Sequence, residues 1–490
     1  MTYLLGLDLG TSSAKAMIVD ESGNCISRAS REYGVECPAA GYAEQNGETL
    51  WDAMADCIQE VLSCGKIRAD QVAAVGLSGQ MHGLALVDQS HRLIRPIIIW
   101  LDRRSAAQVS ALNTQQSSEK DKNNYSTGFF LPSLLWVRDQ EPHNYARIRF
   151  AMLPKDYIRL RLCGEIGTDA SDASGTLLFD PAADDWNREL ATRLGIRTDI
   201  LPQCRKAWEL AGAVTPEAAA RTGLAAGTPV VYGGSDSSMQ LVGSGCVKTG
   251  NLNANIGTGS QFAVICDYPV LGKGLNAFRH SVPGKWSTLA ASLNGGCVLK
   301  WLRDDLFPGM GGYAEMDGRA GEVPAGCGGL VCLPYMNGER FPDLDPQAKG
   351  LFFGFRPEHR REHFIRAAME SIVFAFRRGS ELFLREGLPL DDRVVASGGG
   401  ANSALWLQIQ ADILGREVIT NRNKEEACLG AAIMAGIGIG LYADAAQGTE
   451  AAIQRDSRIF VPDPTVSENL EQSYQIYCAL YERNKELFSM

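Results

Sequence analysis

Residues 8–20 read DLGTSSAKAMIVD and residues 255–267 read NIGTGSQFAVICD. Aligned without gaps, Gly10/Gly257, Thr11/Thr258, Ser13/Ser260, Ala16/Ala263, Ile18/Ile265 and Asp20/Asp267 are identical, six of thirteen positions at a constant offset of 247. Self-similarity at about half the chain length indicates one structural unit used twice. It places a domain boundary near residue 247, with an N-terminal domain over 1–246 and a C-terminal domain over 247–490. Each copy reads as strand, tight turn, strand. Tyr3–Leu9 and Ala14–Asp20 are β-prone runs joined by Gly-Thr-Ser-Ser, a hairpin signal with small residues at the bend. Small residues let backbone amides approach a ligand closely and hydroxyls add donors, a combination suited to phosphate. One copy alone reads as a plain hairpin turn. Two copies facing each other across a cleft would clamp a polyphosphate from both sides.

Outside the repeat, helical and strand patterns alternate. Leu50, Met54, Cys57, Ile58, Val61 and Leu62 recur at helical spacing, with Gly65 as the expected stop. The pattern returns over Phe364–Val373, and further helices are expected at Ala404–Leu414 and Cys428–Ile437, the last rich in Gly and Ala as close packing requires. Short apolar strands at Val72–Leu77, Pro229–Tyr232 and Val394–Ala396 each run into a Gly-rich or Ser-rich turn. Strands interleaved with helices indicate α/β domains. The polar stretch Gln115–Asn124 reads as an exposed loop.

Composition narrows the function classes. A chain of 490 residues exceeds one ordinary core, so two or three domains are expected. The net charge of −10 argues against a nucleic-acid partner, which needs a basic face. It leaves anionic small ligands open, because these are held by local amides and a metal ion. Thirteen cysteines without CxxC spacing and six dispersed histidines give no zinc framework, and they fit reduced, mostly buried thiols of a cytoplasmic protein. Asp8 interrupts an apolar run already too short for a signal peptide, and no run of about 18 apolar residues reads as a membrane span. No GxGxxG follows the first strand, so a dehydrogenase reading is poor. A homodimer is the base-rate expectation for assembly.

Several residues can carry chemistry. Asp236, in Tyr232-Gly-Gly-Ser-Asp236, sits where a strand ends, the side of an open α/β sheet on which ligands bind. There it can take a proton from an attacking hydroxyl, or it can cap the next helix. Asp8 ends the first strand beside the first turn, where Mg2+ needs an oxygen ligand or a partner for its bound water. Phosphoryl transfer needs this set: a phosphate cradle, a metal and a base that orients the nucleophile. Lys15 can add a point charge against a phosphate, or be a solvated strand residue. Ser397-Gly-Gly-Gly-Ala-Asn402, between a strand and a helix, is a candidate nucleotide turn.

Taken in order, DLGTSSAK, GLSGQMHG, LPKDY with SDASGT, GGSD, IGTGS, PYMNGERFP and SGGGANSALWLQIQADILG resemble the FGGY carbohydrate kinases, and most of all their xylulokinase branch. The resemblance runs from residue 3 to about 440. It implies two actin-like (ribonuclease H-like) ATPase domains with ATP and sugar in the cleft between them. It makes Asp236 the catalytic base and gives Asp8 to the magnesium–phosphate region, with Asp236 also near the metal through water. Thr11, Ser12 and Ser13, with Lys15, and Gly257, Thr258 and Gly259 would line the phosphates; Gly399, Gly400 and Asn402 would hold the adenosine. Met81 and His82 match the substrate-contacting pair, with His82 a neutral hydrogen-bond partner, and Asp102 in Trp100–Arg104 would touch the sugar. Two positions depart from the xylulokinase pattern: Ser237 replaces Asn after the base, and Leu101-Asp102-Arg103 replaces Asn-Asp-Gly. The implied reaction is ATP-dependent phosphorylation of a ketopentose, D-xylulose to D-xylulose 5-phosphate. L-Xylulose, a ribulose, a pentitol and glycerol are the alternatives within the class, and a non-catalytic actin-like regulator is the alternative outside it. Asp236 separates the last, since a regulator has no need of a carboxylate there.

Overall fold

In the computed structural model, which describes residues 2–115, 125–180, 183–272 and 274–490, the two apolar runs beside the first turn form a hairpin. Its strands are β1 (Tyr3–Leu9) and β2 (Ser13–Asp20), paired antiparallel from Tyr3↔Asp20 to Leu9↔Ala14. β2 continues antiparallel to β3 (Cys25–Glu32), while β1 lies parallel to β4 (Val72–Gly79) and β4 parallel to β5 (Pro229–Val231). The sheet order is Leu210–Ala213, β5, β4, β1, β2, β3, with Gly234–Ser235 also pairing β4.

Nearly every residue of β1 is buried, as in a sheet covered on both faces. Leu5, Leu7 and Leu9 pack with helix α1 (Gly47–Gly65), whose apolar stripe is Leu50, Met54, Cys57, Ile58 and Val61. The Asn46 side chain starts α1 by accepting from the amides of Glu48 and Thr49. The helix stops at Gly65, as expected. Gly65 is the last helical residue, and Lys66 takes the left-handed turn at φ 53°. Gly65 is needed for space, since a Cβ there would stand 2.8 Å from Ser27 Oγ. Two further helices, α2 (Pro154–Cys163) and α3 (Asp236–Gly243), lead toward the site.

A second sheet repeats the plan. β6 (Leu252–Ile256) and β7 (Ser260–Cys266) form an antiparallel hairpin, and β6 lies parallel to β9 (Arg393–Ser397). With β8 (Trp286–Ser292) and β10 (Glu417–Ile419) the order is Asn276–Arg279, β8, β7, β6, β9, β10. The hairpin-plus-parallel-neighbour arrangement around β6 is that around β1. Helix α4 (Arg361–Arg385) contains the expected Phe364–Val373 stripe, and α5 (Ala404–Leu414) has the expected limits.

The chain divides into two compact units. One takes Met1–Val247, Phe278–Trp286 and Glu425–Gln454, and the other takes Lys248–Ala277, Ser287–Lys424 and Arg455–Met490. Within the first, helix α6 (Glu426–Gly438) lies against β1 and β4 so closely that glycine is required. A Cβ on Gly6 would overlap the Cys428 carbonyl, and one on Gly76 the Ala431 carbonyl. Gly243 and Gly430 meet the Glu426 and Met239 carbonyls in the same way, which fixes how α3 crosses α6. Of the stretch Gln115–Asn124, Gln115 closes the helix Ala106–Gln115, and 116–124 lie outside the described residues. None of the thirteen cysteines forms a disulfide. Seven are buried, while Cys25, Cys37 and Cys64 are exposed. Among the described residues no helix is long and apolar enough to cross a membrane.

Candidate active site

Three neighbouring parallel segments, β1, β4 and Gly234–Ser235, end on one side of the first sheet, and the candidate residues follow those ends. Asp8 and Gly234 are both paired with Ser78. Two strand widths therefore separate them, about 10 Å.

Asp8 is buried and accepts from Ser78 Oγ at 2.7 Å. Burial raises its pKa, and the Ser78 hydrogen bond and Lys15 oppose the rise. Lys15, opposite Asp8 on β2, is neither bare nor simply solvated, because its ammonium is 2.8 Å from Glu425. The turn between β1 and β2 is held from behind. Tyr33 Oη donates to the Gly10 carbonyl at 2.5 Å, Gln45 Nε2 to the Thr11 carbonyl at 2.7 Å, and the Tyr33 amide to the Ser12 carbonyl at 3.0 Å. Trp100 Nε1 donates to Thr11 Oγ1 at 2.8 Å, leaving the Thr11 hydroxyl hydrogen to point elsewhere. Ser12 is exposed at the bend, and Ser13 already belongs to β2.

Asp236 is the first residue of α3 and does not cap it. Ser235 is the cap, its Oγ accepting from the Ser238 amide. Asp236 is thus free of the capping role, and its carboxylate accepts from the Ser237 amide at 2.7 Å. Desolvation raises its pKa to about 7, with the Asp8 charge as the second cause. A carboxylate poised near neutral pH is suited to proton transfer.

The loop that carries Asp236 is anchored by charges inside α2. Lys155 and Arg159 are fully buried, and both donate to the Tyr232 carbonyl, at 3.4 and 3.2 Å. Lys155 also lies 2.8 Å from Asp156, 3.2 Å from Asp169 and 3.6 Å from Asp172. Ser171 Oγ accepts from the Ser235 amide at 3.0 Å. This anchor was not assigned from sequence. Its signal was Lys155, Asp156 and Arg159 among the apolar residues of LPKDYIRLRL, since such residues are buried only when paired.

Met81 and His82 follow β4. His82 has φ 72°, rare for a residue with a side chain. Its ring is stacked on Phe129 at 3.8 Å, and Nδ1 lies 2.7 Å from the Gly175 carbonyl. A hydrogen on Nδ1 is placed to donate to that carbonyl. Gly175, in the SDASGT motif, is needed here, as a Cβ would stand 2.8 Å from Met81 Cε and 3.0 Å from His82 Nδ1. Asp102 is fully buried, and both its oxygens are engaged, by the Ala43 amide at 2.7 Å and by Arg104. It holds the Trp100–Arg104 stretch together from inside.

In the second unit, Gly257 and Thr258 are exposed at the β6–β7 turn. The Ser397–Asn402 segment packs onto the strand that leads into that turn. A Cβ on Gly398 would overlap Asn255 Oδ1, and one on Gly400 would stand 2.8 Å from Ile256. Gly399–Asn402 form a short 3-10 turn ahead of α5, which is capped by Ser403 through the Trp406 amide at 3.0 Å. The glycine turn thus does not open α5 directly. Gly399 and Asn402 are exposed beside the second turn.

Comparison with known proteins places this architecture. The N-terminal domain of the FGGY family of carbohydrate kinases matches residues 3–243, and its C-terminal domain matches residues 252–439. The chain belongs to this family. It is a carbohydrate kinase with the two-domain actin-like ATPase fold, of a family that phosphorylates small sugars with ATP. A xylulose kinase from Bacillus subtilis (strain 168) is 33% identical over 496 residues, covering 99% of this chain and 98% of its own. One from Lactococcus lactis subsp. lactis (strain IL1403) is 34% identical over 498 residues, again covering 99% and 98%. The solved xylulose kinase from Rhodospirillum rubrum superposes with a TM-score of 0.91 at 29% identity, covering 100% of both chains.

Proposed function

We propose that the protein phosphorylates D-xylulose to D-xylulose 5-phosphate, with ATP as donor and Asp236 as general base. The observation that carries the reading is Asp236 at a strand's carboxyl end, with a pKa lifted to about 7 and no capping duty. Asp236 accepts the proton of a terminal sugar hydroxyl while that oxygen attacks the γ-phosphorus in line. The phosphorus–oxygen bond to ADP breaks, and ADP leaves with the electron pair. Thr11, Ser12, Ser13, Lys15, Gly257, Thr258 and Gly259 would contact the phosphates, and Gly399, Gly400 and Asn402 would hold the adenosine. Among the described residues no three acidic, His or Cys side chains gather as a metal cage. That suits Mg2+, which uses one or two carboxylates, waters and substrate phosphates. Asp8 and Asp236 would hold it through water, and its charge would neutralise the phosphate oxygens.

For the sugar, Met81 and His82 support a ketopentose, with Nε2 of His82 accepting from a sugar hydroxyl and Phe129 holding the ring in place. Asp102 serves by ordering the Trp100–Arg104 stretch. The test is specificity constants for D-xylulose, L-xylulose, D-ribulose, L-ribulose, xylitol and glycerol at saturating ATP and magnesium. D-Xylulose is expected to lead. Glycerol or a ribulose ahead of it by more than about tenfold, the worth of one lost hydrogen bond in a buried site, overturns the substrate and leaves the kinase standing.

A further inference from the structure

The PYMNGERFP motif contains a buried carboxylate that the reaction above does not use. Glu339 is 2% exposed, and all five groups bonded to its oxygens are donors. Oε2 accepts from Ser292 Oγ at 2.6 Å and Asn294 Nδ2 at 3.2 Å. Oε1 accepts from the amides of Arg340 at 2.7 Å, Leu293 at 3.2 Å and Phe341 at 3.4 Å. Its own backbone is fixed, exchanging both hydrogen bonds with Asp345 at 2.8 and 2.9 Å. An ionised carboxylate accepts at both oxygens, whereas a carboxamide must turn a donor toward one side of this set.

The segment that Glu339 grips is the one that shapes the second turn. The Gly296 amide donates to the Gly257 carbonyl at 2.8 Å and the Cys297 amide to the Thr258 carbonyl at 3.0 Å. Ser260 Oγ donates to the Asn294 carbonyl at 2.8 Å. A Cβ on Gly295 would overlap Gly259, so the two backbones are in direct contact. The Gly257–Gly259 turn is itself short and exposed, so its shape is set by residues 292–297.

We propose that Glu339 is a positioning residue for nucleotide binding, holding the Ser292–Asn294 segment so that the Gly257–Gly259 turn keeps the shape that receives the ATP phosphates. The inference rests on the reading of that turn as a phosphate site. It is tested with steady-state kinetics on the full chain for E339Q, S292A and G257V, varying ATP and sugar separately. E339Q is expected to raise the KM for ATP about tenfold or more, as for a buried hydrogen bond turned donor against donor. The KM for sugar should stay within about twofold. S292A, which removes one hydroxyl, should move the ATP KM the same way by a smaller factor. G257V perturbs the turn itself and tests the underlying reading. If G257V raises the ATP KM and E339Q does not, the role of Glu339 is overturned and the turn stands. If neither does, both fall. Equal rises in both KM values for E339Q would show general loosening and also overturn the proposal. Should E339Q fail to fold, S292A carries the test alone, and an unchanged ATP KM for it overturns the inference.

Discussion

Replacing Asp236 by Asn should make the protein both less active and more stable. The carboxyl is lifted from 3.8 to about 7, so between these values the native chain binds a proton that the unfolded chain does not. Native stability therefore falls as pH rises through that window, and the loss is complete above about 7. A difference of about 3 pKa units corresponds to at most about 4 kcal/mol. Screening at this partly exposed side chain reduces it to about 2 kcal/mol. Asp236→Asn keeps an oxygen for the Ser237 amide and removes the charge. At pH 8 it should raise the thermal midpoint by about 2 °C, with the gain shrinking to nothing toward pH 4. Turnover should fall by about 10²–10⁴, as for loss of a general base, while ATP still binds. In the wild type, kcat/KM for sugar should drop on the acid side with an apparent pKa of about 7. The assay is thermal melting of the free enzyme from pH 4 to 8 beside kcat and ATP titration. A variant no more stable at pH 8, or one offset by the same amount at every pH, would refute the electrostatic account. Near-normal turnover would refute the base.

Asp8→Ala should cripple turnover and change its magnesium dependence, and an unaltered magnesium requirement counts against a metal role. His82→Ala should raise the sugar KM by about tenfold to a hundredfold, through one lost hydrogen bond in a buried site, with the ATP KM unmoved. Gly175→Ala, which crowds Met81 and His82, should shift the sugar KM in the same direction, and equal effects on both substrates would contradict that link. Gly430→Ala puts a Cβ into the Met239 carbonyl and should cost about 3 kcal/mol or more; a wild-type melting curve would mean that α3 and α6 do not meet there.

Much of the design was legible in the chain because it is local. The β1–β2 and β6–β7 hairpins follow from apolar runs on either side of small residues, and α5 follows from one helical period bounded by Ser403 and Gly415. The position of Asp236 at a strand end was readable from Tyr232-Gly-Gly-Ser-Asp236 alone. Local pattern gave the stop of α1 at Gly65 but not that Lys66, rather than the glycine, takes the left-handed turn after it. It also left Asp236 open between a base and a helix cap, and the cap of α3 is Ser235.

The sequence by itself determined the repeated strand–turn–strand unit, the α/β class and the residue types at each strand end, since these depend on neighbours a few positions apart. Only the tertiary structure decided what those residues experience. The Asp8 charge acts on Asp236, Lys15 is met by Glu425, and Lys155 and Arg159 close on the Tyr232 carbonyl. Likewise α6 returns from late in the chain to lie on Gly6 and Gly76, and Glu339 closes on Ser292 and Asn294. The reason is that desolvation, charge coupling and close backbone contact depend on distance in space, and these partners are tens to hundreds of residues apart along the chain.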